Sequence, residues 1–211
     1  MKREECPLCG KQAEGFHSDP IHLFYSCRGC GGLFRDPGQL PEPEAEKGRY
    51  LNHRNHLEDR GYIDFASPIL QSVRRQFDPG TRGLDFGCGH SPVISELLRR
   101  EKYAVDDYDP FFFPEKVFEG KSYDYLICCE VIEHFHHPDR EFRLMHSLLK
   151  PGGKLICMTD LYSDQIDFGS WYYKNDRTHV FLYRVKTIDY IRSRFDFRDV
   201  KVDGRLIEFS K

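Results

Sequence analysis

No apolar run in this 211-residue chain approaches the roughly 20 residues that a membrane-spanning helix needs, so no membrane partner is expected. The opening residues, Met1 to Glu5, do not read as a signal peptide, and the cytoplasm is the expected location. A surplus of one charge is also missing. Lysines and arginines number 31 against 34 aspartates and glutamates, and the net charge of −3 gives no general pull toward DNA or other nucleic acid. No G-x-x-x-x-G-K-[ST] loop occurs, which leaves a phosphate-cradling site unsupported. A disulfide framework is unsupported too: four of the eight cysteines lie in two C-x-x-C pairs and the others in apparent core strands. That pattern fits metal binding in a reducing compartment. With 39% apolar and 31% charged residues, the chain can bury one full core plus a small accessory module.

That module is residues 1 to 36. Cys6-Pro-Leu-Cys9-Gly10 and Cys27-Arg-Gly-Cys30-Gly31-Gly32 flank a segment that reads as a hairpin, with Ile21 to Tyr25 as its later arm. Each C-x-x-C turns two thiolates toward one point, and two such knuckles make a closed tetrahedral site for structural zinc on Cys6, Cys9, Cys27 and Cys30; iron is the minor alternative. Five basic side chains in the module are balanced by five acidic ones, with no basic stripe for RNA. The ribbon is therefore expected to serve as a scaffold or on the substrate side.

Residues 37 to 80 read as linker and helical lid. The turn-rich Asp36 to Pro43 marks the boundary, and helices are expected from Glu44 to about Leu51 and from Asp64 to Phe77. Between them Arg49, Tyr50, Asn52, His53, Asn55 and His56 mix amides, imidazoles and an aromatic ring, as a lid over a ligand would; a solvated connector is the plain alternative. Tyr50 is the first candidate for cofactor contact.

Residues 81 to 211 alternate apolar strands with helices, which predicts a Rossmann-like α/β fold with a doubly wound, mostly parallel sheet. Its centre is Leu84-Asp85-Phe86-Gly87-Cys88-Gly89-His90-Ser91-Pro92: a strand, a glycine turn, and a helix with Ser91 as its expected cap. A dinucleotide site would carry a third glycine where Pro92 stands. Asp85 would repel a diphosphate and suits a cationic ligand such as S-adenosylmethionine. Asp109, ending the next strand, can accept hydrogen bonds from ribose hydroxyls, or can simply begin the turn before Pro110. Further strands are expected at Tyr123 to Cys129 and, after a sharp turn at Lys150 to Gly153, at Lys154 to Thr159. A helix from about Asp139 to Leu149 lies between them, and a terminal antiparallel hairpin turns at Asp203-Gly204. Asp85, Gly87, Asp109, Glu130 and Asp160 all fall at strand ends.

The segments LDFGCG (84–89), YDP (108–110), YDYLICCEVIEH (123–134) and LLKPGGKLICMT (148–159) together resemble a class I S-adenosylmethionine-dependent methyltransferase. The resemblance covers roughly residues 81 to 190. It implies that Asp85, Gly87 and Gly89 hold the methionine part, that Asp109 holds the ribose, and that Cys129 or Glu130 flanks the sulfonium. The ribbon, YDPFF and WYYKNDRTHV further resemble a group of small bacterial methyltransferase-domain proteins. Two departures stand out. Ser91 replaces a common glycine, and only thirteen residues, 110 to 122, separate Asp109 from Tyr123. A crossover helix alone needs about ten to twelve residues, so the usual third strand is expected to be reduced or missing. Phe111 to Phe113 are then either an aromatic wall for adenine or core filling.

Methyl transfer from a sulfonium asks the protein to align the acceptor and take its proton. His134 is the candidate general base, His179 the second, with Glu130 four residues from His134 on one face if that segment is helical. Glu133 and, from the later loop, Tyr172, Tyr173 and Asp176 are further candidates near the strand ends. Alternatively Glu130, Glu133, His134 and His179 hold a second, divalent ion, as an E-x-x-E-H motif does in some metal-assisted O-methyltransferases. The loop 161–178 reads as a substrate lid, in which Trp171, Tyr172 and Tyr173 either wall the acceptor pocket or plug the core. The leading expectation is methylation of a small-molecule acceptor. An RNA or protein methyltransferase docking through the ribbon is the second reading, and a noncatalytic cofactor-binding module the third.

Overall fold

The computed structural model describes residues 3–52 and 56–211. His53 and Asn55 of the expected lid lie outside the described residues. The N-terminal strands are β1 (Arg3–Glu5), β2 (Gln12–Ser18), β3 (Leu23–Ser26) and β4 (Leu33–Arg35), followed by α1 (Pro43–Tyr50) and α2 (Arg60–Gln76). Then come β5 (Arg82–Phe86), α3 (Val93–Arg100), β6 (Ala104–Tyr108), β7 (Tyr123–Cys129), α4 (Pro138–Leu148) and β8 (Leu149–Met158). The chain ends with β9 (Phe181–Leu182), α5 (Val185–Arg194), β10 (Asp199–Asp203) and β11 (Leu206–Ser210).

Six strands form the main sheet in the order β10-β11-β8-β7-β5-β6. The four from β8 to β6 are parallel, and β11 and β10 close the other side as an antiparallel hairpin. Strand β6 is the edge, so the expected loss of a third strand is what the fold has. Residues 110–122 contain no strand or helix and return to Tyr123 through turns. Buried strands such as Tyr123–Cys129 are apolar along nearly their whole length because helices cover both faces.

Helix α2 shows why one face binds the sheet. Ala66, Ile69, Leu70 and Val73 recur at the spacing of one helical face, are all buried, and pack with Ile94, Leu98, Tyr125 and Ile156. The helix starts four residues before the sequence reading placed it, because the Asp59 carboxylate accepts from the Tyr62 amide and caps it. A second correction concerns Lys150 to Gly153. These residues bulge within a continuous β8: Tyr123 pairs with Leu149 and Tyr125 with Lys154, leaving four residues opposite Asp124.

The ribbon's sheet runs β1-β2-β3-β4-β9 and so takes its fifth strand from near the chain's C-terminal end. Leu33 pairs with Leu182, and Phe34 with Phe181. The Phe181 ring lies directly on Gly32, where an added Cβ would come within 2.4 Å of the ring carbon Cζ. Ribbon residues Cys6, Leu8, Tyr25 and Phe34 share one buried cluster with Phe142 of α4, Tyr183, Ile188 of α5 and Phe209 of β11. A second cluster answers the alternatives posed for Trp171. Its ring is buried with Phe24, Leu33, Tyr162 and Phe168, so it plugs the seam between ribbon and loop. Gly32→Ala should therefore push Phe181 off β4 and lower stability by about 1–3 kcal/mol in urea unfolding; a variant as stable as wild type would contradict this close packing.

Candidate active site

A cavity of about 1780 Å³ opens at the carboxyl ends of β5, β6 and β7. Its walls come from the glycine loop, α1, α2, the 172–179 segment and the ribbon's β2–β3 tip at Pro20 and Ile21. Ordinary small-molecule pockets measure roughly 300–1,000 Å³, so two ligands fit side by side.

The glycine loop is held by its neighbour strand. Gly87 and Cys88 donate their amides to the Tyr108 carbonyl, at 2.8 and 3.2 Å, and Gly89 donates to Asp109 Oδ2 at 3.0 Å. Gly87 has φ +86°, and a Cβ there would strike Val131 at 2.5 Å. Gly89, at φ +69°, faces open space within 4 Å, so bare main chain lines the cavity. The expected Ser91 cap is corrected: Pro92 is the first half-helical residue of α3 and no side chain caps it. Ser91 itself lines the cavity.

Asp85 lies behind this loop rather than on the cavity wall. It is buried, accepts from Ser95 Oγ at 2.8 Å, and burial raises its pKa to about 7. Asp109 does reach the wall. Its Oδ1 also clamps the turn by accepting from the amides of Phe111 and Phe112, yet carboxylate oxygens keep further lone pairs. Cys129, Glu130 and Phe111 line the same cavity.

Glu130 sits in the left-handed region, at φ +53°, where the chain leaves β7. The following turn, Ile132–His134, is a short 3₁₀ segment, so the expected helical face joining Glu130 to His134 does not form. Instead Glu130 Oε2 accepts from Arg205 Nη2 at 2.6 Å and from the Tyr173 hydroxyl at 3.0 Å. Its Oε1 is buried with no partner among the described residues. Glu133 is wholly buried and accepts from the Tyr173 hydroxyl and, at 3.1 Å, from Thr159 Oγ1. Burial raises both carboxyls to about 7; for Glu130 the neighbouring Glu133 charge adds to it.

The two histidines share a design. His134 Nδ1 lies 2.8 Å from the Thr178 carbonyl, and His179 Nδ1 lies 2.7 Å from the Tyr173 carbonyl. A carbonyl can only accept, so each Nδ1 carries the proton and each Nε2 keeps its lone pair. Burial lowers both pKa values, that of His179 to about 3, and keeps the rings neutral. The rings meet edge to face at 4.9 Å. Ligand atoms of Glu133, His134 and His179 lie within 4.8 Å of one another; Glu130, held by Arg205, is outside that group.

Tyr50 covers this centre from α1, with its ring 5.2 Å from His134 and 5.8 Å from Phe111, and its hydroxyl 2.6 Å from Glu46 Oε1. Tyr172 and Tyr173 line the cavity, whereas Asp160 is occupied by Trp171 and Tyr172. Sequence reasoning missed Arg205, Tyr62 and Arg35, which also line it. Arg205 follows the hairpin turn 75 residues beyond Glu130, and no local pattern links the two.

Away from this centre, the four ribbon thiols also converge, all within 4.8 Å of one another. Cys6 and Cys30 sulfurs are 3.5 Å apart, and Cys9 and Cys27 sulfurs 3.3 Å. The knuckles match: Gly10 donates to the Cys6 carbonyl and Gly31 to the Cys27 carbonyl.

Residues 52–202 match a family described as "Methyltransferase domain". Among curated proteins, the chain is 29% identical over 118 residues to a ubiquinone biosynthesis O-methyltransferase of Dinoroseobacter shibae, covering 54% of this chain and 47% of that protein. It is 27% identical over 143 residues to phosphoethanolamine N-methyltransferase 2 of Caenorhabditis elegans, covering 67% of this chain and 32% of the relative. The chain thus spans half or less of these relatives. An O-methyltransferase family protein from Burkholderia thailandensis shares the fold with a TM-score of 0.55 at 15% identity, over 78% of this chain and 61% of that one. A SAM-dependent methyltransferase from Archaeoglobus fulgidus does so at 0.52 and 17% identity, over 72% of this chain and all of the other. With its match running from the end of α1 through the glycine loop, both histidines and β10, this chain belongs to the methyltransferase domain family.

Proposed function

We propose that the chain transfers a methyl group from S-adenosylmethionine to the hydroxyl of a small-molecule acceptor, with His134 as general base. The observation that carries this reading is a neutral imidazole beside the glycine-loop cavity, its Nδ1 tied to Thr178 and its Nε2 unprotonated. The cavity suits the cofactor: bare backbone at Gly89, Asp109 beside it for ribose hydroxyls, and the unpartnered Glu130 Oε1 near the cationic end. S-adenosylmethionine, when bound, supplies an activated methyl carbon on a sulfonium. Gly87, Gly89, Cys129 and Asp109 would hold it, while Tyr50 and Tyr62 exclude water. Asp85 would act at one remove, fixing the loop through Ser95. His134 Nε2 takes the acceptor's proton as the oxygen attacks, and the Thr178 carbonyl steadies the imidazolium that results.

A divalent ion on Glu133, His134 and His179 is the second reading, favoured by the convergence of those three donors. Both Nδ1–H groups bonded to carbonyls is the arrangement that orients metal-ligating imidazoles. The ribbon's four thiols suit zinc, since about 2.3 Å to each sulfur requires sulfurs roughly 3.8 Å apart. The ribbon tip and Arg35 border the cavity, which supports a substrate-side role over docking of RNA or protein.

The leading test supplies methyl-labelled cofactor and fractionated cell extract to the wild type and to His134→Gln. Label should enter hydroxyl-bearing metabolites, and the variant should lose about 100- to 10,000-fold in rate while binding the cofactor normally. Label entering only RNA or protein would overturn the small-molecule reading. Transfer that needs added magnesium or manganese, with the ribbon's metal intact, would favour the divalent ion. Native mass spectrometry should find one zinc per chain, lost in Cys27→Ser; a wild type without metal would sink the ribbon site.

The buried carboxyls also give a pH signature. Glu133 rises from 4.5 to about 7 on folding, so the folded state holds its proton longer. Its contribution is full below about 4.5 and is lost as pH rises through about 7. Glu133→Gln should therefore match wild type near pH 4.5 and exceed it by roughly 3 kcal/mol at pH 8 in urea unfolding, with no divalent ion added. Lower stability of the variant at pH 8 would reverse the sign.

A further inference from the structure

We propose that the ribbon end of the cavity is an anion subsite, and that the acceptor carries a carboxylate or phosphate which Arg177 engages. This rests on the methyltransferase reading and adds to it a substrate class. Arg35, Arg49 and Arg177 line the cavity on the side bounded by the ribbon and the 174–178 turn, together with the carboxylates of Glu42, Glu46 and Asp176.

The cations on that side are unevenly paired. Arg35 is only 2% exposed and Lys174 only 3%. Arg35 spends its guanidinium on His22 Nδ1 and on the carbonyls of Lys174 and Asp176, all neutral acceptors. The buried Glu46 carboxylate on that side is taken by the Tyr50 hydroxyl and His136, and two further carboxylates are occupied too. Asp176 takes Arg49 through Oδ2 and Thr178 through Oδ1. Asp19 takes His17 and the amides of Ile21 and His22, with Lys174 Nζ 3.6 Å away. Arg177, exposed as Arg49 is, differs from Arg49 in that no carboxylate pairs with it among the described residues.

The field of Arg177 is felt inside. Burial first and the Arg177 charge second push Arg35 down to about 10, against the opposing pull of Asp176 and Asp19. A small oxyanion at Arg177 would relieve that repulsion and form charge-assisted hydrogen bonds in a partly dry site. It would also orient the acceptor. With its anionic end at Arg177, the acceptor would present its hydroxyl toward His134, whose Nδ1 is bonded to the carbonyl of the very next residue, Thr178.

The test is calorimetric titration of the full chain with inorganic phosphate and, separately, with benzoate, each with and without S-adenosylhomocysteine. Saturable binding of one anion is expected, phosphate marking a phosphoryl acceptor and benzoate a carboxylic acid. Arg177→Gln should weaken it about tenfold or more, and Arg198→Gln, on the surface away from the cavity, should leave it unchanged. Absence of saturable binding to either anion, equal loss in both variants, or full binding in Arg177→Gln would overturn the proposal. Binding of S-adenosylhomocysteine is read in the same samples. Its loss would count against the methyltransferase reading alone, since the anion arms are also run without it.

Discussion

The strap from Tyr173 to Leu182 is the constraint on which the rest depends. At its far end Phe181 and Leu182 complete the ribbon's sheet, with the Phe181 ring pressed on Gly32. In its middle the Val180 amide donates to the Glu133 carbonyl and the Val180 carbonyl accepts from the Arg35 amide, so one residue joins the α/β core to the ribbon. At its near end the Tyr173 and Thr178 carbonyls fix both histidine tautomers. Ribbon packing, core packing and proton placement are thus one hydrogen-bonded unit, and a shift in the first moves the last.

That unit also governs the buried acids. The Tyr173 hydroxyl contacts Glu130, Glu133 and Thr159, so the loop supplies the donor that two neighbouring carboxyls share. Arg205, placed over the Phe65 and Tyr173 rings, adds a cation bonded to Glu130. Two carboxyls raised to about 7 beside two neutral histidines form a site that holds or releases protons near neutrality with small changes in its surroundings. Bound ligand charge on either side of the cavity is one such change.

The strands, the glycine turn and the short gap after Asp109 were legible because each rests on local pattern: apolar runs, paired glycines, and too few residues for a crossover. So were the cysteine knuckles, where spacing alone dictates convergence. His134 and His179 were legible as candidates, and as neighbours only through the divalent-ion alternative; the carbonyl that holds His134 was not legible, since it lies 44 residues further along the chain. The burial of Asp85 was not legible, because a strand-end carboxylate points to either face, and Ser95 in the first turn of α3 draws it inward. The Glu130 face failed for a different reason. Helical spacing presumes a helix, and the left-handed residue at 130 breaks it. Trp171 could not be resolved from sequence, since an aromatic cluster reads alike whether it meets a ligand or the seam of a ribbon.

The short link after Asp109 has a structural consequence that reaches the ribbon. In a sheet with one more strand, the wall beside β6 would be sheet and its crossover helix. Here the Asp109 carboxylate folds residues 110–113 into a tight turn, and Phe111 is presented from that turn to Tyr50 of α1. Helix α1 is short and polar, and an isolated helix of its length is marginal in water. Its hold on the body comes through Arg49 to Asp176, Glu46 to His136 and Tyr50 against His134, all contacts to the site itself. The wall that replaces the missing strand is therefore braced by the strap, and through it by the ribbon. Losing a strand at one edge of the sheet and gaining a ribbon at the other side of the cavity are two halves of one solution to closing it.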